Sequence, residues 1–193
     1  MRQYIWIAFI LAINACSNNN TEKITPQNTT AKAEEKPNFI RVTSFLKGEV
    51  VGIRGKMQPK KYTTINEHTD SSFLKFEDLD NEVKDFMLPV IDSANLSQLF
   101  TETKFVDQTI NAVTFTYDPK TQLPDSMPLR HWDVYVDPET GKITRVYIVK
   151  KASSNKTLQL TWQSGEWFKT TTLINNNDGT LSVEKEEKIS WDY

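Results

Sequence analysis

Hydrophobic positions recur with two different periods along this chain, and the change of period separates a helical part from a strand part. Apolar side chains at helical spacing come first, at Val42, Leu46, Val50 and Ile53. They predict an amphipathic helix with Asn38 available as its cap. Gly48 and Gly52 weaken such a helix by about 1 kcal/mol each relative to alanine. A strand is therefore the alternative for this segment.

A short hairpin and a second helix are predicted next. Residues 60–65 and 72–76 have the composition of two strands around a polar turn at 66–70. Acidic residues at 77–80 then favour a helix start. Apolar residues follow along one face, at Leu79, Val83, Phe86, Met87, Val90 and Ile91. Pro89 is expected to kink or end this helix, and residues 92–100 are expected to add one or two helical turns.

From about Thr109 the period becomes two, which predicts β-strands. Strand patterns occur at 113–117, 129–136, 143–151, 157–162, 167–174 and 180–191. Short polar connections join most of them, so they should form an antiparallel meander of about six strands. Val146 and Ile148 alternate with Tyr147 and Val149, so we expect both faces of the inner strands to be covered. The fold class is thus α+β, with two N-terminal helices, a short hairpin and a meander that can curl into a half-open barrel over the helices.

The extreme N-terminus has a different pattern. Arg2 precedes an apolar run at residues 4–13, and the only cysteine of the chain closes the sequence Ile13-Asn14-Ala15-Cys16. A transmembrane helix and a buried core helix are the alternatives for this run, but a transmembrane span needs ~20 apolar residues. The segment resembles a bacterial lipoprotein signal peptide. This resemblance implies cleavage before Cys16, a diacylglycerol on its sulfur, a further acyl chain on the new amino group, and a membrane anchor at that residue.

The anchor sets the expected organisation and location of the chain. Residues 1–15 are the signal peptide, residues 16–38 are the lipidated cysteine and a disordered tether, and residues 39–193 are one globular domain. The tether is polar and cannot bury enough apolar surface to fold. Ser17 follows the cysteine, and by resemblance to sorting rules this favours the outer membrane, with the domain in the periplasm or at the surface.

Charge and motifs exclude several classes of function. The formal net charge is −2 and no basic patch stands out, so nucleic acid is not an expected partner. The sequence has no nucleophile elbow, zinc-protease motif, phosphate-binding loop or dinucleotide fingerprint. His131 and Asp133 share a strand face and could form a general-base pair or a two-ligand metal site. No third ligand accompanies them, so we expect no catalytic residue, no metal and no cofactor.

Aromatic residues of the meander are the remaining candidates for a binding site. Five of them are candidate ligand-binding residues: Trp132, Tyr135, Tyr147, Trp162 and Trp167. Core packing is the simpler explanation for aromatic side chains on a sheet. The alternatives are an apolar cavity or a platform on which sugars stack.

The order helix, hairpin, helix and meander on a lipoprotein of this length resembles a set of small α+β bacterial lipoproteins. In layout it also resembles the LolA/LolB family of periplasmic lipoprotein carriers and receptors. That likeness implies a half-open barrel that cradles acyl chains, and it transfers no functional residue. Three functions follow: a module binding an apolar or lipid-like ligand or a partner segment in a recess between the sheet and the helices, a structural or interaction lipoprotein of the envelope, and, last, an enzyme.

Overall fold

Nine antiparallel strands form one sheet, and helices pack on one side of it, in the computed structural model of this chain, which describes residues 38–56 and 58–191. The helices are α1 (Val42–Arg54), α2 (Leu79–Met87) and α3 (Ser93–Leu96). The strands are β1 (Lys60–Ile65), β2 (His68–Phe73), β3 (Phe100–Asp107), β4 (Ala112–Pro119), β5 (Leu129–Val136), β6 (Ile143–Lys151), β7 (Lys156–Gln163), β8 (Trp167–Asn175) and β9 (Leu181–Ser190). The expected signal peptide, Cys16 and the tether up to residue 37 lie outside the described residues.

The strand order is β2-β1-β9-β8-β7-β6-β5-β4-β3. Strands β3 to β9 form the expected meander, with seven strands instead of six, and the N-terminal hairpin adds to it through pairing of β1 with β9. Strands β2 and β3 are free edges, so the sheet is open and does not close into a barrel. The α+β class is confirmed. The expectation of two N-terminal helices is not supported, because a single helix precedes the hairpin and α2 follows it.

Local sequence signals account for most of the element boundaries. The four residues that predicted α1 are all buried in it, although Arg41 and not Asn38 takes the cap position, with no side-chain hydrogen bond. Helix α2 ends at Met87, shortly before Pro89, as expected. Asn66 and Glu67 both adopt positive φ angles, which permits a two-residue turn. Strand β2 therefore begins at His68, four residues earlier than expected.

Strand β3 was not predicted. It spans Phe100–Asp107 and pairs with β4 along its whole length. Most of its residues are exposed, because it is an edge strand and only its first residue, Phe100, is buried in the core. Polar side chains therefore occur on both of its faces, and the apolar alternation that marks the inner strands is missing from its sequence.

One face of the sheet, here called the covered face, packs against the helices. Its buried side chains on the central strands are Tyr117, Trp132, Val134, Val146, Ile148, Leu160, Trp162, Phe168 and Ile189. Two stacked ring pairs organise it: Tyr117 lies 4.5 Å from Trp132, and Trp162 lies 4.8 Å from Phe168, between ring centroids. Edge-on rings from the helix side complete this packing, which is favourable beyond the buried area alone.

The other face, here called the open face, has no covering layer in the described chain. Its side chains on the central strands include Thr116, His131, Asp133, Tyr135, Arg145, Tyr147, Val149, Thr161, Gln163 and Trp167. Most are only partly buried, by neighbours on adjacent strands. The expectation that both faces are covered is thus wrong for this face. Tyrosine and tryptophan tolerate such a position because they combine a large apolar ring with a polar group that stays in contact with water.

Candidate functional site

An apolar groove runs between α1 and α2 on the side away from the sheet. It encloses about 480 Å³ and is lined by Lys47, Val50, Val51, Arg54, Asp80, Val83, Lys84, Met87 and Leu88. The lining residues of α1 fall at i, i+3, i+4 and i+7, and those of α2 and its end at i, i+3, i+4, i+7 and i+8. Each set is one stripe along its helix. The groove is therefore formed by two helical stripes that face each other.

The floor and the walls of this helix groove differ in exposure. Val50 and Val83 form the floor and are buried against the core, with 8% and 3% of their surface exposed. Val51 and Leu88 are 71% and 63% exposed. Large apolar side chains that surround a recess and remain in water commonly mark a binding surface. The helix groove is thus an apolar site that the residues described by the structure leave unfilled.

Basic side chains border the helix groove. Arg54 pairs with Asp80 across it, with 2.6 Å between Nη2 and Oδ1, and also donates from Nη1 to the carbonyl oxygen of Phe76. Among the described residues, Lys84 donates only to the neutral amide oxygen of Asn81, at 3.2 Å. With Lys47, three cations therefore face a single carboxylate in the lining. The surplus of positive charge suits a ligand with an apolar body and an anionic end.

Polar contacts hold the two helices in place. From α1, Glu49 accepts hydrogen bonds from Trp162 Nε1 at 3.3 Å and from the Gly165 amide at 2.8 Å. From α2, Glu82 binds Lys61 at 2.8 Å. Lys150, on the covered face, donates to the carbonyl oxygen of Asp85 at 2.8 Å. Both walls of the groove are therefore fixed to the sheet.

The Lys61 contact is strengthened by a second carboxylate. Glu187 of β9 also binds Lys61 Nζ, at 2.9 Å. Burial lowers the pKa of Lys61, but the hydrogen bonds that it donates to Glu82 and Glu187 outweigh this effect and raise the pKa above its ordinary value. The lysine therefore stays charged between the two carboxylates and joins α2 to β1 and β9.

The five aromatic residues expected to bind a ligand do not form one site. Trp132 and Trp162 lie on the covered face with none of their surface exposed. A ligand cannot reach them without disrupting the core. Tyr135, Tyr147 and Trp167 lie on the open face and are half-buried. The set is thus divided between the two faces of the sheet, and none of it lines the helix groove.

His131 lies on the open face between two carboxylates. Its Nε2 is 3.0 Å from Asp133 and its Nδ1 is 2.8 Å from Asp118, while Thr116 donates to the other oxygen of Asp133 at 2.6 Å. The hydrogen bond with Asp133 is the main reason that the pKa of His131 rises to about 9; burial lowers it, and Asp118 raises it further. Both ring nitrogens are therefore protonated and occupied at neutral pH. In this arrangement His131 offers no free nitrogen for a general base or a metal ligand.

A metal centre has no support in the part of the chain that the structure describes. Within residues 38–56 and 58–191, no three histidine, cysteine, aspartate or glutamate side chains are grouped to hold a metal ion. Of the helices in those residues, none is both long and apolar enough to cross a lipid bilayer.

Reasoning from the sequence missed the residues of the helix groove. Val51 lies next to the stripe that predicted α1 and was not assigned to any face. Leu88 lies between Met87 and Pro89, at the point where α2 ends. The available signal was that each helix carries an apolar residue outside its buried stripe. The sequence does not show that these two residues line one groove, because this depends on the approach of α1 to α2. Comparison of the chain with protein-family models, with curated proteins and with solved structures found no match.

Proposed function

We propose that this chain is a membrane-anchored lipoprotein of the cell envelope that binds a lipid-like ligand, without catalysis, in the helix groove. The observation that carries the proposal is the exposed apolar lining of that groove. The N-terminal sequence that ends at Cys16 supports the anchor, and Ser17 supports an outer-membrane location. The ligand site differs from the one that the sequence favoured, between sheet and helices, because that space holds stacked and edge-on aromatic rings.

Apolar burial gives the groove its affinity in this proposal. Covering a valine or leucine side chain contributes about 1.5–3 kcal/mol when the burial is complete. Val51 and Leu88 leave most of that contribution unused in the free protein. A volume of about 480 Å³ is within the range of small-molecule sites. A hydrocarbon chain that lies along the groove would contact both walls and the floor.

Charge at the border of the groove defines the other end of the ligand. Lys47 and Lys84 form no ion pair within the described residues, whereas Arg54 is neutralised by Asp80. An anionic headgroup at the mouth of the groove would pair with these two ammonium groups. A fatty acid or an acidic lipid has this combination of apolar chain and negative charge, so lipids of this class are the proposed ligands.

Saturable binding of a fluorescent fatty acid tests the proposal. The protein for this test is residues 16–193 with Cys16→Ser, so that no acyl chain of its own competes. Val51→Asp should weaken binding about tenfold or more, which corresponds to about 1.4 kcal/mol. Val106→Asp, at a similarly exposed valine on β3 (64% exposed), is the matched control and should bind as the parent does. No saturable binding by the folded chain, or equal loss in both variants, would contradict the proposal.

The anchor has its own test. Cys16→Ser in the full chain removes the sulfur that would carry the diacylglycerol, so we expect an unprocessed or soluble form of altered mobility. Cell fractionation followed by electrophoresis measures this. A Cys16→Ser chain that remains in the membrane fraction with unchanged mobility would show that the anchor is wrong.

Protein interaction through a sheet edge is a second candidate function, and strand β3 favours it. Its outer backbone edge is unpaired in the described chain, and it exposes Phe105 and Val106 on opposite faces. Such an edge can accept a strand from another protein. If this is the function, Val106→Lys should abolish cross-linking to a partner in intact membranes, and Val51→Asp should not.

A further inference from the structure

A second recess lies on the opposite side of the sheet, at one end of the open face. This turn pocket encloses about 310 Å³ and is lined by Ile110, Asn111, Ala112, Tyr135, Asp137, Thr144, Arg145 and Gln163. The β3–β4 turn forms one wall and the start of the β5–β6 turn another. Unlike the helix groove, it is lined mainly by hydrogen-bonding groups.

Arg145 is held in a fixed orientation in this pocket. Its guanidinium lies 5.7 Å from the centre of the Tyr135 ring, and its Nε donates to Gln163 Oε1 at 2.9 Å. Within the described residues it forms no ion pair. Its Nη groups therefore remain available as donors beside an aromatic ring, and the two contacts reduce the entropy lost when they bind a ligand.

The remaining polar lining groups add hydrogen-bond acceptors and donors. Asn111 supplies an amide, and Thr144 supplies a hydroxyl that donates to the carbonyl oxygen of Tyr135 at 3.2 Å and can still accept. Asp137 uses Oδ1 to accept the amides of Glu139 and Thr140, both at 2.8 Å, so this carboxylate is fixed by its own turn. The charges of Asp137 and Arg145 balance. The pocket therefore suits a ligand rich in hydroxyl groups better than an ion.

The pairing register of strands β5 to β8 extends this surface beyond the pocket. Tyr135 pairs with Arg145, Arg145 with Gln163, and Gln163 with Trp167, so the four side chains form one row across β5 to β8 on the open face. Three strand spacings place the two aromatic residues about 14 Å apart. Lys188 Nζ lies 4.8 Å from the Trp167 ring, at the end of a flexible side chain that can move aside. The row thus has an aromatic ring at each end and polar groups between them.

We infer that the open face binds an uncharged oligosaccharide along the row from Tyr135 to Trp167. Each sugar ring has a face of C–H groups that stacks on an aromatic ring and a border of hydroxyl groups that hydrogen-bond to side chains. The turn pocket and the row offer both kinds of partner. Tyr135 and Trp167 provide rings for stacking, and the polar side chains between them provide hydrogen bonds. The inference is independent of the helix groove, since no residue lines both sites.

Calorimetric titration with cellotetraose, maltotetraose and chitotetraose tests this inference, on residues 16–193 with Cys16→Ser. We expect saturable binding of at least one of them. Tyr135→Ala should weaken it about tenfold or more, and Tyr135→Phe, which keeps the ring, should restore most of it. Tyr147→Ala is the matched control, because Tyr147 is a half-buried tyrosine on the same face that does not line the pocket. It should change the affinity by less than about twofold.

Three results would overturn the inference. The first is the absence of saturable binding by the folded chain with all three sugars. The second is an equal loss of affinity in Tyr135→Ala and Tyr147→Ala, and the third is loss of sugar binding in Val51→Asp. Sugar binding without fatty-acid binding would contradict only the proposed function, and fatty-acid binding without sugar binding would contradict only this inference.

Discussion

On strand β6, Val146 and Ile148 point toward the helices, whereas Tyr147 and Val149 point away from them. The first two are fully buried and the second two are half-buried, although all four are large apolar or aromatic residues. Tryptophans repeat this contrast: Trp162 stacks inside the core, while Trp167 lies on the open face beside Lys188. Composition alone thus does not distinguish a face that packs from one that remains available for binding.

A buried charge should give the largest difference between the two faces. Val146→Asp places a carboxylate where none of the native side chain is exposed, so we expect the free energy of unfolding to fall by more than about 4 kcal/mol. Tyr147→Asp, one residue later, keeps its charge in contact with water and should lower the free energy of unfolding by only about 1 kcal/mol. Urea unfolding of both variants measures this. Equal destabilisation would mean that the open face is buried after all.

Truncation of one tryptophan on each face makes the same comparison without introducing charge. Trp162→Ala leaves a cavity beside Phe86 and Phe168 and should lower the free energy of unfolding by about 3–5 kcal/mol. Trp167→Ala removes a half-buried ring and should lower it by about 1 kcal/mol. If Trp167→Ala proved the more damaging of the two, the assignment of the faces would have to be reversed.

The His131 cluster should make the stability contributed by the open face depend on pH. The pKa of His131 is about 9 in the folded chain, above its ordinary value of 6.5. The folded state therefore binds this proton more tightly, and the stabilisation is complete below about pH 6.5 and is lost as the pH rises through about 9. We expect this stabilisation to contribute about 2 kcal/mol to the free energy of unfolding at pH 6, a value reduced for the partial exposure of the ring.

His131→Gln provides the control for this pH dependence. The substitution keeps a hydrogen-bonding group but removes the titrating one, so the decline in the free energy of unfolding between pH 6.5 and 9 should flatten. Chemical denaturation at a series of pH values shows the slope. An unchanged slope in the variant would mean that His131 is not protonated between Asp118 and Asp133.

The smallest effect is expected at Arg145. Arg145→Ala removes an exposed side chain with one amide contact and one ring contact, so the free energy of unfolding should change by no more than about 0.5 kcal/mol. Thermal unfolding is sensitive enough to detect more. A loss of several kcal/mol would show that the Tyr135–Arg145 row stabilises the fold and is not a free surface.

Local patterns predicted most of the elements because their information lies within a few residues. Helical spacing located α1 and α2, and alternation with turn residues located six strands of the meander. Strand β3 was not predicted because an edge strand with polar residues on both faces lacks that alternation. The pairing of β1 with β9 and the resulting open sheet depend on contacts between distant segments, which no local pattern encodes.

The candidate sites were harder to predict than the fold, for a related reason. The pairing of His131 with Asp133 followed from strand alternation, but its second partner, Asp118, lies 13 residues away and joins it only through the β4–β5 register. Likewise, Val51 and Leu88 line the same groove only because α1 lies beside α2. Trp132 and Trp167 carry equivalent sequence signals and occupy opposite faces. Sites formed by separate elements require the arrangement of those elements.

The most direct test of the central claim is the location of a bound fatty acid. We suggest ¹⁵N spectra of residues 16–193 with Cys16→Ser, recorded with a fatty acid that carries a nitroxide on its chain. If the helix groove is the ligand site, the amide signals of Val51, Lys84 and Leu88 should broaden selectively, and those of Tyr135 and Tyr147 should remain sharp. Broadening centred on the open face, or no selective broadening at a saturating concentration, would contradict it.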